Sequence, residues 1–222
     1  MQVLIGCGGW GYFRVPGSDP LQAYAQAYDF VETNSPFYRT PALSTARTWR
    51  KKAPDNFEFT VKCSKELTHD IGLRPVARAY EAFEEQVWVC RALEAPILVL
   101  QTPPLFDTTL TEVKDFFGGL KVDDLRLVWD VRGKERLEYS ALANDLGITE
   151  SYDLSREDAP ADQDIVYSRI FGPDAKRELT TKHLKTINDK VRSSGAKKVY
   201  LTFHGSRMYK DAAGLITYRK LA

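Results

Sequence analysis

The sequence has few cysteines, and those present are not arranged for a disulfide framework or a zinc site. Three occur among 222 residues, Cys7, Cys63 and Cys90, with no C-x-x-C spacing. Small disulfide-rich domains and structural zinc sites carry more cysteines, at close and regular spacing. The pattern therefore predicts a reducing compartment.

Long hydrophobic runs and a strong net charge are also missing. The longest apolar runs, such as ILVL at 97–100, are only as long as a strand, and no basic segment followed by a long apolar stretch opens the sequence. We therefore expect no signal peptide, no membrane span and a cytoplasmic location. The formal net charge of +1 leaves only a local basic patch as an electrostatic route to nucleic acid.

The sequence does contain a regular alternation of short apolar runs and longer helical patterns. The apolar runs predict strands over 3–10, 30–34, 57–63, 96–101, 125–132, 148–154, 165–171 and 198–205. The other patterns predict helices over 20–28, 45–53, 76–95, 135–146 and 208–219, and two more around the apolar stripes that begin at Val113 and Leu184. Such alternation predicts parallel strands, and eight of them fit a closed (β/α)8 TIM-type barrel, one α/β domain over 1–222. The chain is short for this fold, so some irregularity is expected, and an open doubly wound sheet is the main alternative.

Several predicted strands have one apolar and one polar face. In FEFTVKC (57–63) the two phenylalanines and Val61 alternate with Glu58, Thr60 and Lys62, and LRLVWDVR (125–132) and VYLTFHG (199–205) alternate in the same way. A parallel strand covered by helices on both faces would be apolar throughout. We therefore expect one face to meet helices and the other to face a polar barrel interior.

Charged residues fall near the carboxyl ends of these strands, where the active sites of such barrels gather. They are Glu32, Lys62, Asp130, Arg132, Arg169 and His204. We expect these side chains to converge in one water-accessible site with slightly more positive than negative charge, which favours anions such as phosphate or carboxylate.

Several motifs also occur together along the chain: IGCGGWGY, VETNSPFYRTP, FEFTVKCSKELTH, LQTPPLF, WDVR and VYLTF. With them the sequence resembles the YecE-like family, the domain of unknown function 72, over essentially its whole length. The resemblance implies a TIM-type barrel and no settled activity. The chain has Asp130-Val-Arg-Gly133 where the family usually has Glu-x-Arg-His, and Arg169-Ile-Phe-Gly172 where it commonly has Arg-x-His-Gly. These departures indicate a divergent branch.

Three of the charged residues, Glu32, Lys62 and Asp130, are the candidates for catalysis. A carboxylate in a partly dry mouth can act as a general base, and a lysine there can attract an anion or form a Schiff base. The structural alternatives are an ion pair of Glu32 with Lys62 or an arginine across the barrel, and a self-satisfied pair of Asp130 with Arg132.

Further residues near the strand ends are candidates for ligand binding: Trp10, Asn34, Tyr38, Arg39, Gln101, Arg132, Arg169 and His204. The aromatic members, with Phe37, could form a stacking wall for a sugar or base, or simply pack in the core. No cofactor and no tight metal site are expected, because the three histidines form no spaced cluster. His69, on a predicted loop, and Cys7, without a histidine partner, are expected to be structural.

The sequence supports first an enzyme that acts on a small anionic metabolite, phosphorylated or carboxylated, with a carboxylate as acid or base. One alternative is a protein that binds or processes nucleic acid, which the near-neutral charge disfavours. The other is a barrel that binds a ligand without turnover. Nothing in the sequence indicates an oligomeric state.

Overall fold

The computed structural model describes residues 1–132, 136–161, 163–172 and 178–221. Its eight parallel strands follow one another in chain order around a closed barrel. They are β1 (Gln2–Cys7), β2 (Phe30–Thr33), β3 (Glu58–Lys62), β4 (Ile97–Gln101), β5 (Arg126–Asp130), β6 (Thr149–Tyr152), β7 (Ile165–Ile170) and β8 (Lys198–Phe203). The closed order confirms the TIM-type barrel and is incompatible with a doubly wound sheet, whose strand order reverses.

The helices agree with the predicted ones to within a few residues, with some additions. They are α1 (Pro20–Ala27), α2 (Ser35–Tyr38), α3 (Leu43–Lys52), a π-helix (Glu66–Asp70), α4 (Ala77–Leu93), α5 (Leu110–Gly118), α6 (Arg136–Asp145), α7 (Thr181–Ser193) and α8 (Met208–Leu221). The sequence did not predict α2 or the π-helix. Between β6 and β7, residues 153–161 and 163–164 contain no helix. None of the helices in the described ranges is long and apolar enough to cross a membrane.

The chain forms two compact units. Unit 1 comprises Met1–Glu32, Ala53–Phe57 and Ser151–Ala222, and unit 2 comprises Thr33–Lys52 and Glu58–Glu150. Unit 1 thus holds β1, β7, β8 and most of β2, and unit 2 holds β3, β4 and β5.

Three aromatic rings fill the barrel interior of unit 1. Tyr167 and Tyr200 stack with ring centroids 5.6 Å apart, and Phe30 meets them edge-on at 6.5 and 5.2 Å. Strands β2 and β7 are separated by β8 and β1, so rings from β2 and β7 can meet only inside the barrel. Because side chains alternate along a strand, the next inward positions are Glu32 on β2 and Arg169 on β7.

Strand β1 passes close to β2 at Gly6, which pairs with Phe30. A Cβ atom at position 6 would lie 2.0 Å from the carbonyl oxygen of Phe30, so only glycine fits there. On the outer face of β1, the amide of Cys7 donates to the hydroxyl of Tyr24 on α1 over 2.7 Å.

In unit 2, the apolar face of β5 packs against helices. Trp129 is fully buried, and its ring lies 5.3 Å from Phe117 of α5, 5.8 Å from Tyr139 of α6 and 6.3 Å from Phe106. Burying a large apolar side chain contributes roughly 1.5–3 kcal/mol. This packing fixes the strand so that Asp130, the next residue, faces the opposite side.

Candidate functional site

Glu32, near the end of β2, lies in a fully buried ion pair with Arg169 of β7. Nε and Nη2 of Arg169 donate to the two carboxylate oxygens over 3.1 and 3.0 Å, and the Tyr167 hydroxyl donates to one of them over 3.0 Å. The side chains of Glu32 and Arg169 are 0% and 3% exposed. Charges so far from water persist only when partners satisfy them, as these three donors do for the carboxylate.

His204 follows β8 and lies beside this pair. Its Nε2 is 3.6 Å from a carboxylate oxygen of Glu32, and its side chain is 9% exposed. The imidazole stacks on the ring of Phe171, with centroids 5.0 Å apart and planes 20° apart. We call Glu32, Tyr167, Arg169 and His204 the buried network.

The expectation of a water-accessible position is wrong for Glu32 and Arg169. Both lie near the carboxyl ends of their strands, as predicted, but their side chains point into the barrel above the aromatic layer. Of the structural alternatives, the ion pair with an arginine is present, with Arg169. A catalytic role for Glu32 stays a prediction. In the structure, its carboxylate accepts hydrogen bonds from Arg169 and Tyr167.

Asp130 and Arg132, at the end of β5 in unit 2, form a second carboxylate–arginine pair. Nε and Nη2 of Arg132 donate to the two oxygens of Asp130 over 3.3 and 3.0 Å. The amide of Arg132 donates to the Thr102 hydroxyl over 3.3 Å. The Arg132 side chain is 32% exposed. The pairing predicted as one of two alternatives is therefore present, and it fixes the plane of a guanidinium that water can reach.

Lys62, the last residue of β3, lies over an aromatic ring. Its Nζ is 3.7 Å from the ring centroid of Phe37 on α2, a cation–π contact. Both side chains are half-buried. This contact holds the ammonium at the end of the strand, where an anion could approach it.

His69 lies in the π-helix that follows β3. Its ring meets the edge of Phe37 with centroids 5.1 Å apart, and its Nδ1 is 2.9 Å from the Thr68 hydroxyl. Burial lowers the pKa of His69 below its ordinary value of 6.5, and the positive charges of Lys62, Lys65 and Arg132 lower it further.

These contacts define a second cluster, within unit 2. We call Lys62, Lys65, His69 and Arg132 the basic cluster. Lys62 and His69 both contact the ring of Phe37, and the charges of Lys62, Lys65 and Arg132 all lower the pKa of this imidazole. The sequence placed His69 on a loop as a structural residue, and the location on a loop is wrong.

The other predicted ligand-binding residues have varied surroundings. Tyr38 is 82% exposed at the end of α2, and Arg39, the next residue, is also exposed. Trp10, Asn34 and Gln101 are half-buried, and Gln101 pairs with Asp130 across β4 and β5. Tyr38 and Arg39 thus point to solvent, whereas Gln101 lies next to the Asp130–Arg132 pair in the sheet.

Two residues near the strand ends serve packing. Burial raises the pKa of the Cys7 thiol far above its ordinary value, as expected for a packed thiol and not for a nucleophile. Trp129, on the outer face of β5, is enclosed by other aromatic rings. In the described part of the chain, no group of three or more His, Cys, Asp or Glu side chains is placed to hold a metal ion.

Open clefts occur elsewhere on the surface. One of about 400 Å³ in unit 2 is lined by residues near the amino end of β5, including Asp124 and Arg126. In TIM barrels the amino-terminal face serves stability and the carboxyl-terminal face carries chemistry. The strand-end clusters are therefore better candidates for a site than this cleft.

Sequence reasoning missed Tyr167 and the Thr68–His69 contact. Tyr167 lies two residues before Arg169 on the same strand face, so strand alternation alone could have indicated it. The π-helix carries no periodic signal, because five residues are too few to show one.

Comparison with known proteins identifies the family. The model of the family described as "Protein of unknown function DUF72" matches residues 4–220. The UPF0759 protein YunF of Bacillus subtilis (strain 168) is 28% identical over 116 residues, which span 47% of this chain and 41% of that protein. The aligned segment thus covers less than half of YunF.

Solved structures share the fold. A DUF72 family protein from Thermotoga maritima MSB8 superposes with a TM-score of 0.74 at 17% identity, over 100% of this chain and 99% of that one. A xylose isomerase domain containing protein from Salmonella typhimurium LT2 gives 0.60 at 12% identity, over 93% of each chain. At these identities the likeness shows the barrel alone. The family model, by contrast, spans nearly the whole sequence, and this chain belongs to the DUF72 family of unknown function.

Proposed function

We propose that this chain is an enzyme that acts on a small anionic metabolite, phosphorylated or carboxylated. The anionic group of this metabolite would bind at the basic cluster of unit 2. The observation that carries the proposal is the placement of cations at the strand ends of unit 2: Lys62 lies 3.7 Å from the Phe37 ring, which also contacts His69, and the Arg132 guanidinium is 32% exposed beside Asp130. Partly buried cations attract anions because the field around them is less screened than at an open surface.

Each basic residue would have a distinct role in binding. Asp130 holds the guanidinium of Arg132 in one plane through two hydrogen bonds, and a planar guanidinium suits the oxygens of carboxylate and phosphate. Lys62 adds a point charge whose position is set by the Phe37 ring. Lys65, which forms an ion pair with Asp70, contributes more to the field than to direct contact.

The buried network of unit 1 would not bind the anion. Arg169 is 3% exposed, and two of its nitrogens donate to Glu32. A ligand would have to displace this buried carboxylate to bind the guanidinium. Its role under this proposal is to shape the barrel interior.

Nucleic acid is a weaker candidate for the same residues. Asp70 and Asp130 lie among the cations and would repel a phosphate backbone. Tyr38, a candidate for stacking on bases, projects into solvent at 82% exposure, and among the described residues its ring contacts that of Phe37 alone.

Calorimetry on the full chain tests anion binding, with inorganic phosphate, small carboxylates and a single-stranded oligonucleotide as titrants. We expect phosphate or a carboxylate to bind, and Arg132→Met to weaken binding by about 10- to 100-fold, since a hydrogen bond to a charged group contributes about 1.5–3 kcal/mol. Lys51→Met, an exposed residue on α3, is the matched control and should bind normally. Absence of small-anion binding, or a steeply salt-dependent preference for the oligonucleotide, would refute the proposal.

Turnover needs a separate readout. Incubation of the chain in deuterated buffer with phosphorylated and carboxylated compounds, followed by mass spectrometry, detects proton exchange and isomerisation without knowledge of the product. Binding without any chemical change across such a panel would favour the non-catalytic alternative.

A further inference from the structure

The hydrogen bonds around His69 determine which ring nitrogen carries the proton. The Thr68 hydroxyl lies 2.9 Å from the carbonyl oxygen of Ser64 and 2.9 Å from Nδ1 of His69. A carbonyl oxygen can only accept, so the single hydroxyl proton goes to Ser64. The hydroxyl oxygen must then accept from His69, and the neutral imidazole carries its proton on Nδ1.

The other ring nitrogen, Nε2, is consequently a lone-pair acceptor. Within the described residues it makes no hydrogen bond, because the Thr68 contact is the one that His69 forms. The ring itself is held by Thr68, which is fully buried, and by the edge of Phe37. A fixed imidazole with an unoccupied basic nitrogen has the properties required of a general base.

The positive charges around His69 disfavour protonation of that nitrogen. Lys62 at the end of β3, Lys65 before the π-helix and Arg132 after β5 all disfavour the imidazolium, and only Asp70 favours it. Burial acts in the same direction as the cations. An incoming anion would reduce this repulsion and bring its neighbouring atoms toward the base.

We infer that His69 is the catalytic base of this site and takes a proton through Nε2 from a carbon or hydroxyl group adjacent to the bound anion. The inference rests on the proposed function and specifies its chemistry. The bond from that carbon or oxygen to hydrogen breaks, its electron pair stays on the substrate as an enolate or alkoxide, and the proton forms the imidazolium. Lys62 and Arg132 stabilise the negative charge, and the imidazolium returns the proton to the same or a neighbouring atom. The cycle needs no oxidant, reductant or further reactant.

The chain offers an internal control in His183. There the amide of Thr180 donates to Nδ1 over 3.1 Å, so the neutral ring must carry its proton on Nε2. The two histidines are therefore expected in opposite tautomers, and one spectrum can report both.

Two-bond ¹H–¹⁵N spectra of the full ¹⁵N-labelled chain test the inference, with His69→Gln and His183→Gln used for assignment. We expect the Nδ1–H tautomer for His69 and a midpoint of its titration below pH 6.5. Saturating inorganic phosphate should raise that midpoint, because the anion favours the imidazolium, and leave the His183 signals in place. An Nε2–H tautomer for His69 in the unliganded chain overturns the inference, as does phosphate that binds by calorimetry without moving the His69 titration.

The two proposals can fail separately. If no small anion binds, the proposed function fails and the base has no substrate, whatever its tautomer. If anions bind and proton exchange in deuterated buffer survives His69→Gln undiminished, only the present inference fails. We expect this variant to bind phosphate within a few-fold of the wild type and to lose about 10²–10⁴-fold in exchange rate, the usual contribution of a general base.

Two substitutions examine the hydrogen-bond relay itself. Thr68→Val removes the hydroxyl that accepts from Nδ1–H, so His69 should no longer be held in the Nδ1–H tautomer. Thr68→Ser keeps the hydroxyl and should preserve that tautomer. If the valine variant does not fold, Lys62→Met serves instead, since loss of a neighbouring cation should raise the titration midpoint of His69. An unchanged midpoint in a folded Lys62→Met chain would show that the basic cluster does not act on this ring.

Discussion

Two carboxylate–arginine pairs in this molecule have nearly the same hydrogen bonds and very different surroundings. In unit 1, Glu32 and Arg169 come from strands far apart in sequence, and their side chains are 0% and 3% exposed. In unit 2, Asp130 and Arg132 are two residues apart, and their side chains are 12% and 32% exposed. Burial, and not the pairing itself, separates a structural ion pair from one that can face a ligand.

The physical reason lies in the free energy of desolvation. Moving two charges out of water costs several kcal/mol each, and their attraction offsets this only when further hydrogen bonds complete the network. Tyr167 supplies such a bond to Glu32. The pair in unit 2 keeps part of its hydration, so its attraction is partly screened and water still reaches the guanidinium of Arg132.

Removing one arginine from each pair tests whether burial determines how much each pair contributes to stability. Arg169→Met leaves the Glu32 carboxylate buried without its counter-ion, and we expect the free energy of unfolding to fall by about 3–5 kcal/mol. Arg132→Met is the matched control and should cost less, about 1–2 kcal/mol, because Asp130 and Arg132 are 12% and 32% exposed and the pair keeps part of its hydration. Urea denaturation followed by circular dichroism measures both.

The double variant Glu32→Met/Arg169→Met sharpens the same test. Because it removes both charges together, it should be less destabilised than Arg169→Met alone. Equal losses for Arg169→Met and Arg132→Met would mean that burial does not distinguish the two pairs.

The fold was predictable because its signals are local. Short apolar runs place every strand, and the period of about 3.6 residues places the longer helices. The alternation in LRLVWDVR orients Trp129 toward helices and Asp130 away from them. What failed was short or aperiodic. The four residues of α2 and the five of the π-helix are too few to produce a period, and the connection from β6 to β7 has no helix among its described residues.

The candidate site was predictable only in part. Strand alternation shows to which face of the sheet a side chain points, but not how far that side chain is buried. It placed Glu32 and Arg132 near strand ends, but exposure depends on what lies above each side chain. The residue beside the Glu32 carboxylate is His204, which stacks on Phe171. His204 follows β8 and lies more than 160 residues after Glu32 in the chain. The His69 tautomer depends on a hydroxyl whose partner is fixed only by the folded π-helix, and no sequence pattern encodes such a contact.

A second prediction concerns the hydroxyl that completes the buried network. Tyr167→Phe removes a hydrogen bond to a charged acceptor and should lower the free energy of unfolding by about 1.5–3 kcal/mol. Tyr28→Phe, which removes a partly buried hydroxyl donating to the carbonyl oxygen of Tyr209, should cost only about 0.5–1.5 kcal/mol, because that acceptor is neutral. Thermal and urea unfolding of both variants would detect the difference, and a smaller loss at Tyr167 than at Tyr28 would contradict it.

The smallest expected effect is a pH dependence that unit 2 contributes through His69. Its pKa is lower in the folded chain than the ordinary 6.5, so below about pH 6.5 the unfolded chain binds more protons than the folded one. Stability should therefore fall as the pH drops from 6.5 through the folded pKa, and His69→Gln should remove that part of the slope. The difference between the wild-type and His69→Gln unfolding curves, measured from pH 5 to 8, isolates the contribution. In a Lys62→Met background the difference should shrink, because the repulsion that lowers the pKa of His69 is weaker. If the wild type instead gains stability relative to His69→Gln as the pH drops, the folded chain favours the imidazolium. His69 would then be a partner of Asp70 and not a base whose protonation is opposed by its cationic neighbours.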